Sequence, residues 1–165
     1  MAVLLALSMA ACGFQPLYGR GSVGDVETQL SRTKIEIIPD RVGQQVHNYL
    51  LDRINRKGRP TDPLYLLSVK INVDKVRLGI ERDESATRAK LVVVANIRLQ
   101  DIETEEVLLK RSARSSNSYN IVGSAIATRS AELDAVDRAA REVSEEIRLL
   151  LSLYFRRRGA QVTSK

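Results

Sequence analysis

The single cysteine, Cys12, is the residue of this chain best suited to covalent chemistry. Its thiolate is a strong nucleophile and can form a thioether. Ala10 and Ala11 precede it and Gly13 follows it. Small residues there let the backbone enter a signal peptidase. The pattern is typical of a bacterial lipobox and predicts that Cys12 is acylated and becomes the mature N-terminus.

The apolar run over residues 2–11 supports this interpretation. A helix needs about 20 apolar residues to cross a bilayer of about 30 Å. A signal peptide has a shorter apolar region that ends in small residues. The alternative is an N-terminal strand with a buried thiol, because free cysteine often packs as a small hydrophobic residue.

Residues for other chemistry are scarce. His47 is the only histidine, and the only cysteine is assigned to acylation, so no zinc-type ligand set can form. A serine-histidine-aspartate triad would have to use His47, and no Gly-x-Ser-x-Gly motif is present. The acidic clusters fit solvated turns and helix surfaces. We therefore expect no catalytic residue, no metal site and no cofactor.

The composition indicates one folded domain with a basic surface. The 165 residues include 44% hydrophobic residues, and the net charge is +6. A basic protein attracts anionic partners in general, such as phosphate or anionic lipid. Aromatic residues make up 4% of the chain and tryptophan is absent, which disfavours the stacking of bases. We expect no nucleic-acid partner.

Two helices are predicted. The first covers residues 41–57, with the carboxylate of Asp40 as its N-cap and Gly58 just past its end. The second begins near Ser124 and ends at residues 156–158. Its apolar stripe has alternating spacings of three and four residues and consists of Leu133, Val136, Ala140, Val143, Ile147, Leu150 and Tyr154.

Four strands are predicted from apolar residues that alternate with polar ones. The first covers residues 34–37, and the other three form a meander between residues 67 and 117. The apolar positions change from odd to even numbers near Asp74 and Lys75, so we expect a β-bulge there.

The predicted fold is α+β, with the order β-α-β-β-β-α. Two helices pack on one face of a four-stranded, mostly antiparallel sheet, and the first strand joins in parallel through a helical crossover. The predicted organisation is a leader over residues 1–11, a lipidated tether over 12–32, one domain over 33–158 and a disordered tail over 159–165.

Two surface features are not explained by folding alone. Val92 and Val94 lie on the polar side of a central strand, which indicates either a contact surface or harmless exposed valine. An excess of cations beside them indicates either a phosphate-binding face or a solvated sheet. These cations are Lys70, Lys75, Arg77, Arg88, Lys90, Arg98 and Lys110. The triple arginine at 156–158 is an alternative anion site.

Two segments resemble one family. The first is Cys12-Gly13-Phe14-Gln15-Pro16-Leu17-Tyr18-Gly19. The second is Ser118-Tyr119-Asn120, which is followed by a helix rich in alanine and arginine. Both are similar to LptE. LptE is the lipopolysaccharide-assembly lipoprotein family of Gram-negative outer membranes. The resemblance implies two helices on a four-stranded sheet and a palmitate-bearing anchor on the periplasmic side of the outer membrane. It also implies that the β-barrel LptD and lipopolysaccharide are partners.

On that resemblance, the candidate lipopolysaccharide-binding residues are Lys70, Lys75, Arg77, Arg88, Lys90 and Arg98. The candidate partner interface is Val92 with Val94. One rival hypothesis is another periplasmic lipoprotein adaptor. The other is a basic, cytosolic nucleic-acid-binding domain with a misread N-terminus.

Overall fold

The computed structural model describes residues 22–80 and 86–163. Cys12 and residues 81–85 lie outside the described residues. The helices are α1 (Ser22–Ser31), α2 (Arg41–Ile54) and α3 (Ala125–Thr163). The strands are β1 (Thr33–Ile35), β2 (Tyr65–Ile80), β3 (Ala86–Asp101) and β4 (Val107–Asn120).

The four strands form one sheet in the order β1-β2-β3-β4. β1 is parallel to β2, whereas β2, β3 and β4 are antiparallel neighbours. The α+β class is therefore confirmed. The sheet is mixed, and α1 precedes β1, so the order β-α-β-β-β-α is corrected to α-β-α-β-β-β-α within the described residues.

The core lies between the sheet and α3, against which α1 and α2 also pack. Val136, Ala140, Val143 and Ile147 of the predicted stripe are buried. Near the end of α3 the buried positions are Leu151 and Phe155, while their stripe neighbours Leu150 and Tyr154 are half-buried. Opposite them, alternate residues of β3 from Leu91 to Leu99 face the helices and are buried.

The start of α2 differs from the prediction. Asp40 occupies the N-cap position, but its carboxylate makes no capping hydrogen bond, and its backbone has φ 68° and ψ 164°. The chain turns sharply there because Ile38 is buried beneath the first turn of the helix. A Cβ atom on Gly43 would lie 2.7 Å from Ile38 Cγ2, so this close approach requires glycine. The helix ends at Ile54, three residues before the predicted end at 57.

The structure is also helical at both ends of the predicted domain. Residues 22–31 were expected to belong to a flexible tether, yet they form α1, and Leu30 is 6% exposed within the core. α3 continues past Gly159 to Thr163, where a disordered tail was expected. Burial of an apolar side chain stabilises α1 despite its glycine- and serine-containing sequence.

The predicted bulge near Asp74 is wrong. The β2–β3 register runs without interruption from Tyr65 opposite Asp101 to Leu78 opposite Arg88. The apolar positions change parity because residues 72–78 of β2 are exposed on both faces of the sheet, so neither face has to be apolar there. The irregularity lies instead between β3 and β4, at Leu99 and Gln100.

Candidate functional site

The candidate site is the sheet face opposite the helices, here called the outer face. On β3 it contains the even-numbered residues, because the odd-numbered residues are buried against the helices. The register aligns its residues in rows across β2, β3 and β4. These rows are Ser68-Arg98-Lys110, Lys70-Asn96-Ser112, Asn72-Val94-Arg114, Asp74-Val92-Ser116, Val76-Lys90-Ser118 and Leu78-Arg88-Asn120.

One half of the outer face forms a basic groove of about 570 Å³. Lys70, Arg98 and Lys110 line it together with Arg111, serine hydroxyls and one acidic residue, Glu36. The Ser112 hydroxyl donates to Asn96 Oδ1 at 2.7 Å, which fixes the floor between the cations. Within the described part of the chain, none of the three cations pairs with a carboxylate. The groove can therefore accept phosphate oxygens as charge-assisted hydrogen-bond acceptors.

The other half combines cations with apolar side chains. Lys90 lies opposite Val76, which is 48% exposed, and Arg88 lies opposite Leu78, which is 37% exposed. Arg114 lies opposite Val94, nearer the middle of the face. Arg88 is near the tip of the hairpin and donates to Asn120 Oδ1 at 3.4 Å. Apolar surface beside cations is the chemistry that an anionic amphiphile requires.

The sequence-predicted valines differ in exposure. Val92 is 7% exposed, so neighbouring side chains cover it, although no helix lies on this face. Val94 is half-buried. Val76 and Leu78 offer more apolar surface than either, but the expected bulge near Asp74 would have turned them to the opposite face. Only the β2–β3 register places them on the outer face, opposite Lys90 and Arg88. Arg114 was missed because its pairing with Val94 depends on the β3–β4 register.

Lys75 and Arg77 do not lie on the outer face. The register pairs them with Leu91 and Ala89, on the helix side of the sheet. Lys75 forms an ion pair with Glu132 of α3. Its hydrogen bond lowers the pKa of the Glu132 carboxyl, against the opposing effect of burial. The structure therefore places Lys70 and Arg98 in one half of the outer face and Arg88 and Lys90 in the other half. Lys75 and Arg77 lie on the opposite side of the sheet.

The helix side of the molecule has polar contacts that are structural. Tyr49 donates a 2.5 Å hydrogen bond to Asp137, and this bond lowers the pKa of the Asp137 carboxyl, with a further contribution from Arg141. The carboxylate of Glu146 accepts the main-chain N–H of Arg114 at 2.8 Å, which covers part of the free edge of β4. These groups are engaged with one another rather than presented to a ligand.

The described residues contain no cluster of His, Asp or Glu that could hold a metal ion. His47 Nδ1 lies 3.1 Å from the carbonyl oxygen of Glu36, so the ring is tied to the backbone after β1. In residues 22–80 and 86–163, no helix is both long and apolar enough to cross a membrane.

Comparisons with known proteins identify one family. The family model LptE, described as lipopolysaccharide-assembly, matches residues 27–151. An uncharacterised protein from Rickettsia prowazekii is 24% identical over 156 residues, covering 94% of this chain and 96% of that protein.

Two solved structures have similar folds. One is from Caulobacter crescentus and is described as a lipoprotein. It has a TM-score of 0.66 and 25% identity, and the alignment covers 82% of this chain and 98% of that one. The other is a minor lipoprotein from Acinetobacter baumannii, with a TM-score of 0.55, 14% identity and coverage of 73% and 88%.

Proposed function

The chain belongs to the LptE family of lipopolysaccharide-assembly proteins, and we propose that it is a non-catalytic lipoprotein of the outer membrane that binds lipopolysaccharide during its assembly. The observation that carries this proposal is the outer face. Its cations have no carboxylate partners among the described residues, and apolar side chains lie beside them. Lipopolysaccharide combines phosphate groups with acyl chains, and this face offers a partner for each.

The proposed residues on the outer face are Lys70, Arg88, Lys90, Arg98, Lys110 and Arg114. Arginine can hold phosphate oxygens through two parallel N–H donors, whereas lysine acts as a point charge. Asp74 is the one acidic side chain of this face on the described parts of β2–β4. Glu36, after β1, also lines the basic groove, but the cations there outnumber it. Lys75 and Arg77 remain candidates at the edge of the hairpin.

We also propose that Cys12 is acylated and anchors the chain on the periplasmic side of the outer membrane. Several acyl chains anchor a protein stably, whereas one alone binds only marginally. Mass spectrometry of the mature protein should show a lipid-sized increment on a peptide that begins at Cys12. Retained Met1 or an unmodified thiol would disprove the anchor.

The proposed protein partner is the LptD β-barrel, with this chain as a plug inside or beneath it. The resemblance over residues 12–19 and the family match support this partner. The barrel should co-purify with the full chain from detergent-solubilised outer membranes, and a Cys12→Ser form directed to the periplasm should still capture it. If the protein fractionates with the outer membrane but captures a different partner, it is another lipoprotein adaptor.

The exposed apolar residues of the β2–β3 hairpin allow the same experiment to locate the interface with the barrel. Val76→Glu combined with Leu78→Glu should weaken capture of the barrel, since it places charges where we propose apolar contact. Leu149→Glu on α3 is the matched control, because Leu149 is 52% exposed and lies toward the end of α3 that packs near Leu109, away from the hairpin tip. Equal capture by both variants would remove the hairpin from the interface.

A further inference from the structure

A second groove lies on the opposite edge of the sheet from β4. Its volume is about 770 Å³, and it runs along β1. One wall consists of residues 34–37, and the other is formed by α2 and the loop that follows, including Leu51, Asn55 and Arg59. The outer-face site makes no use of this groove.

The free edge of β1 offers unused main-chain groups to the groove. Glu36 N–H donates to the carbonyl of Leu67 at 3.0 Å, and the Arg32 carbonyl accepts from Leu64 at 3.0 Å. The main-chain N–H and C=O groups alternate in direction along a strand. Those of Thr33 and Ile35 therefore point away from β2 and toward the groove. The Thr33 carbonyl accepts from Asn55 Nδ2 at 3.2 Å. Ile35, the next residue on that side, has no such partner among the described residues.

Asn55 is a buried side chain with an unsatisfied acceptor. It is 6% exposed, and its Nδ2 donates to the carbonyls of Ser31 and Thr33, which fixes the orientation of the amide. Its Oδ1 has no hydrogen-bond donor among the described residues. A buried acceptor without a donor is unfavourable. A carboxamide has the chemistry of a peptide group. The Asn55 side chain therefore bonds to the Thr33 carbonyl as the main chain of a neighbouring strand would.

The rim of the groove indicates which side chains would fit. Two cations, Lys34 and Arg59, and one acid, Glu36, line it, so the rim is net positive. Neither cation forms an ion pair with the described residues. Ile37, also on the rim, is 84% exposed. Asp40, just beyond it, has a backbone conformation that is strained for any residue except glycine, and such strain concentrates at ligand-binding segments. An occupant should therefore present acidic and apolar side chains.

We propose that this groove binds an extended acidic segment of a partner polypeptide, which adds to β1 as a further strand of the sheet. The segment forms main-chain hydrogen bonds with Ile35 N–H and C=O, and it follows Asn55 along the edge of β1. Its apolar side chains pack on Ile37 and Leu51, and its carboxylates face Lys34. Strand addition combines main-chain bonds with side-chain pockets in this way.

The test uses three synthetic octapeptides in which valine alternates with glutamate, lysine or serine. The full chain, isotopically labelled and kept in mild detergent, is titrated with each peptide, and hydrogen exchange of the Ile35 amide is followed by NMR. The glutamate peptide should slow exchange at Ile35 by about tenfold or more, because a new hydrogen bond protects that amide. The lysine peptide should have no effect.

Two variants test the contacts. Arg59→Glu should weaken the affinity for the glutamate peptide about two- to fivefold, whereas Arg156→Glu, an exposed cation on α3, should leave it unchanged. Ile35→Pro removes the proposed donor, and a β1 edge tolerates proline where its N–H faces away from the sheet. It should abolish binding if the circular dichroism spectrum is retained.

Two outcomes would overturn the proposal. One is unchanged exchange at Ile35 with every peptide. The other is protection of Ile35 by dodecyl phosphate and not by the glutamate peptide, since the groove would then bind an amphiphile. Either result can be obtained whether or not the outer face binds lipopolysaccharide, so this inference and the proposed function fail independently.

Discussion

At the residue scale, the structure distinguishes side chains that stabilise the fold from those that are free to bind. Val143 and Leu149 lie on the same helix, yet Val143 is fully buried and Leu149 is 52% exposed. Burying a side chain such as Val143 contributes about 1.5–3 kcal/mol. The outer-face cations make no comparable contribution to the core, so they can be changed without unfolding the protein.

Val143→Asp should lower the free energy of unfolding by about 3 kcal/mol or more, because it buries a carboxylate with no partner. Leu149→Asp, on the exposed side of α3, should change the free energy of unfolding by only about 0.5 kcal/mol. Urea denaturation of both variants checks this. Equal stability of the two variants would mean that α3 does not pack on the core through the side that contains Val143.

The hydrogen bond from Tyr49 to Asp137 predicts a pH-dependent contribution to stability. The pKa of Asp137 lies below its ordinary value of 3.8, chiefly because Tyr49 donates to the carboxylate. A carboxyl whose pKa is lowered on folding stabilises the fold above its unfolded-state pKa, and the contribution disappears as pH falls through the folded-state pKa. Tyr49→Phe should lower the free energy of unfolding by about 1 kcal/mol near pH 7. This is below the usual contribution of a hydrogen bond to a charged group, because Asp137 is partly exposed.

The cost of Tyr49→Phe should diminish as the pH falls below about 4, since a protonated Asp137 no longer provides a charged acceptor. Tyr154→Phe is the control, because Tyr154 accepts from Arg158, whose charge does not change in this range. Its cost should stay constant in urea denaturation between pH 7 and pH 3. A constant cost for Tyr49→Phe would contradict the assignment.

At the scale of the elements, alternation and helical spacing predicted the meander, α2 and α3, because each buries one side against its neighbour. α1 was missed since its stabilisation depends on where Leu30 packs, which composition does not reveal. The parity change in β2 was misread as a bulge. Residues 72–78 of β2 have no buried side, so Val76 and Leu78 lie on the outer face without any change of register.

Asp40 gives a prediction for the start of α2. Its φ of 68° with ψ of 164° strains any residue with a Cβ atom, and its carboxylate makes no capping bond in return. Asp40→Gly should therefore raise the free energy of unfolding by about 1 kcal/mol, after allowing for the greater freedom of glycine in the unfolded chain. Gln44→Gly within the same helix should lower it by about as much. Thermal denaturation distinguishes the two, and destabilisation by Asp40→Gly would refute the strain.

At the scale of the whole molecule, the helices cover one face of the sheet and leave the other for partners. The net charge is +6, and the cations of the outer face lack carboxylate partners among the described residues. They are therefore available to an anionic ligand. The sequence identified Lys70, Arg88, Lys90 and Arg98 as a set. It could not show that Lys75 and Arg77 lie on the opposite face, because this depends on the uninterrupted register of β2.

Lipopolysaccharide binding by the outer face is tested by measuring how purified lipopolysaccharide binds to the full chain as a function of salt. Exposed contacts are screened over about 8 Å at physiological ionic strength, so affinity should fall as salt rises. Lys90→Glu with Arg98→Glu should weaken binding about tenfold or more, while Arg156→Glu with Arg157→Glu should leave it nearly unchanged, both variants keeping the wild-type melting temperature. Loss of binding only in the 156–157 variant would place the site at the end of α3, and full binding by both variants would contradict the account.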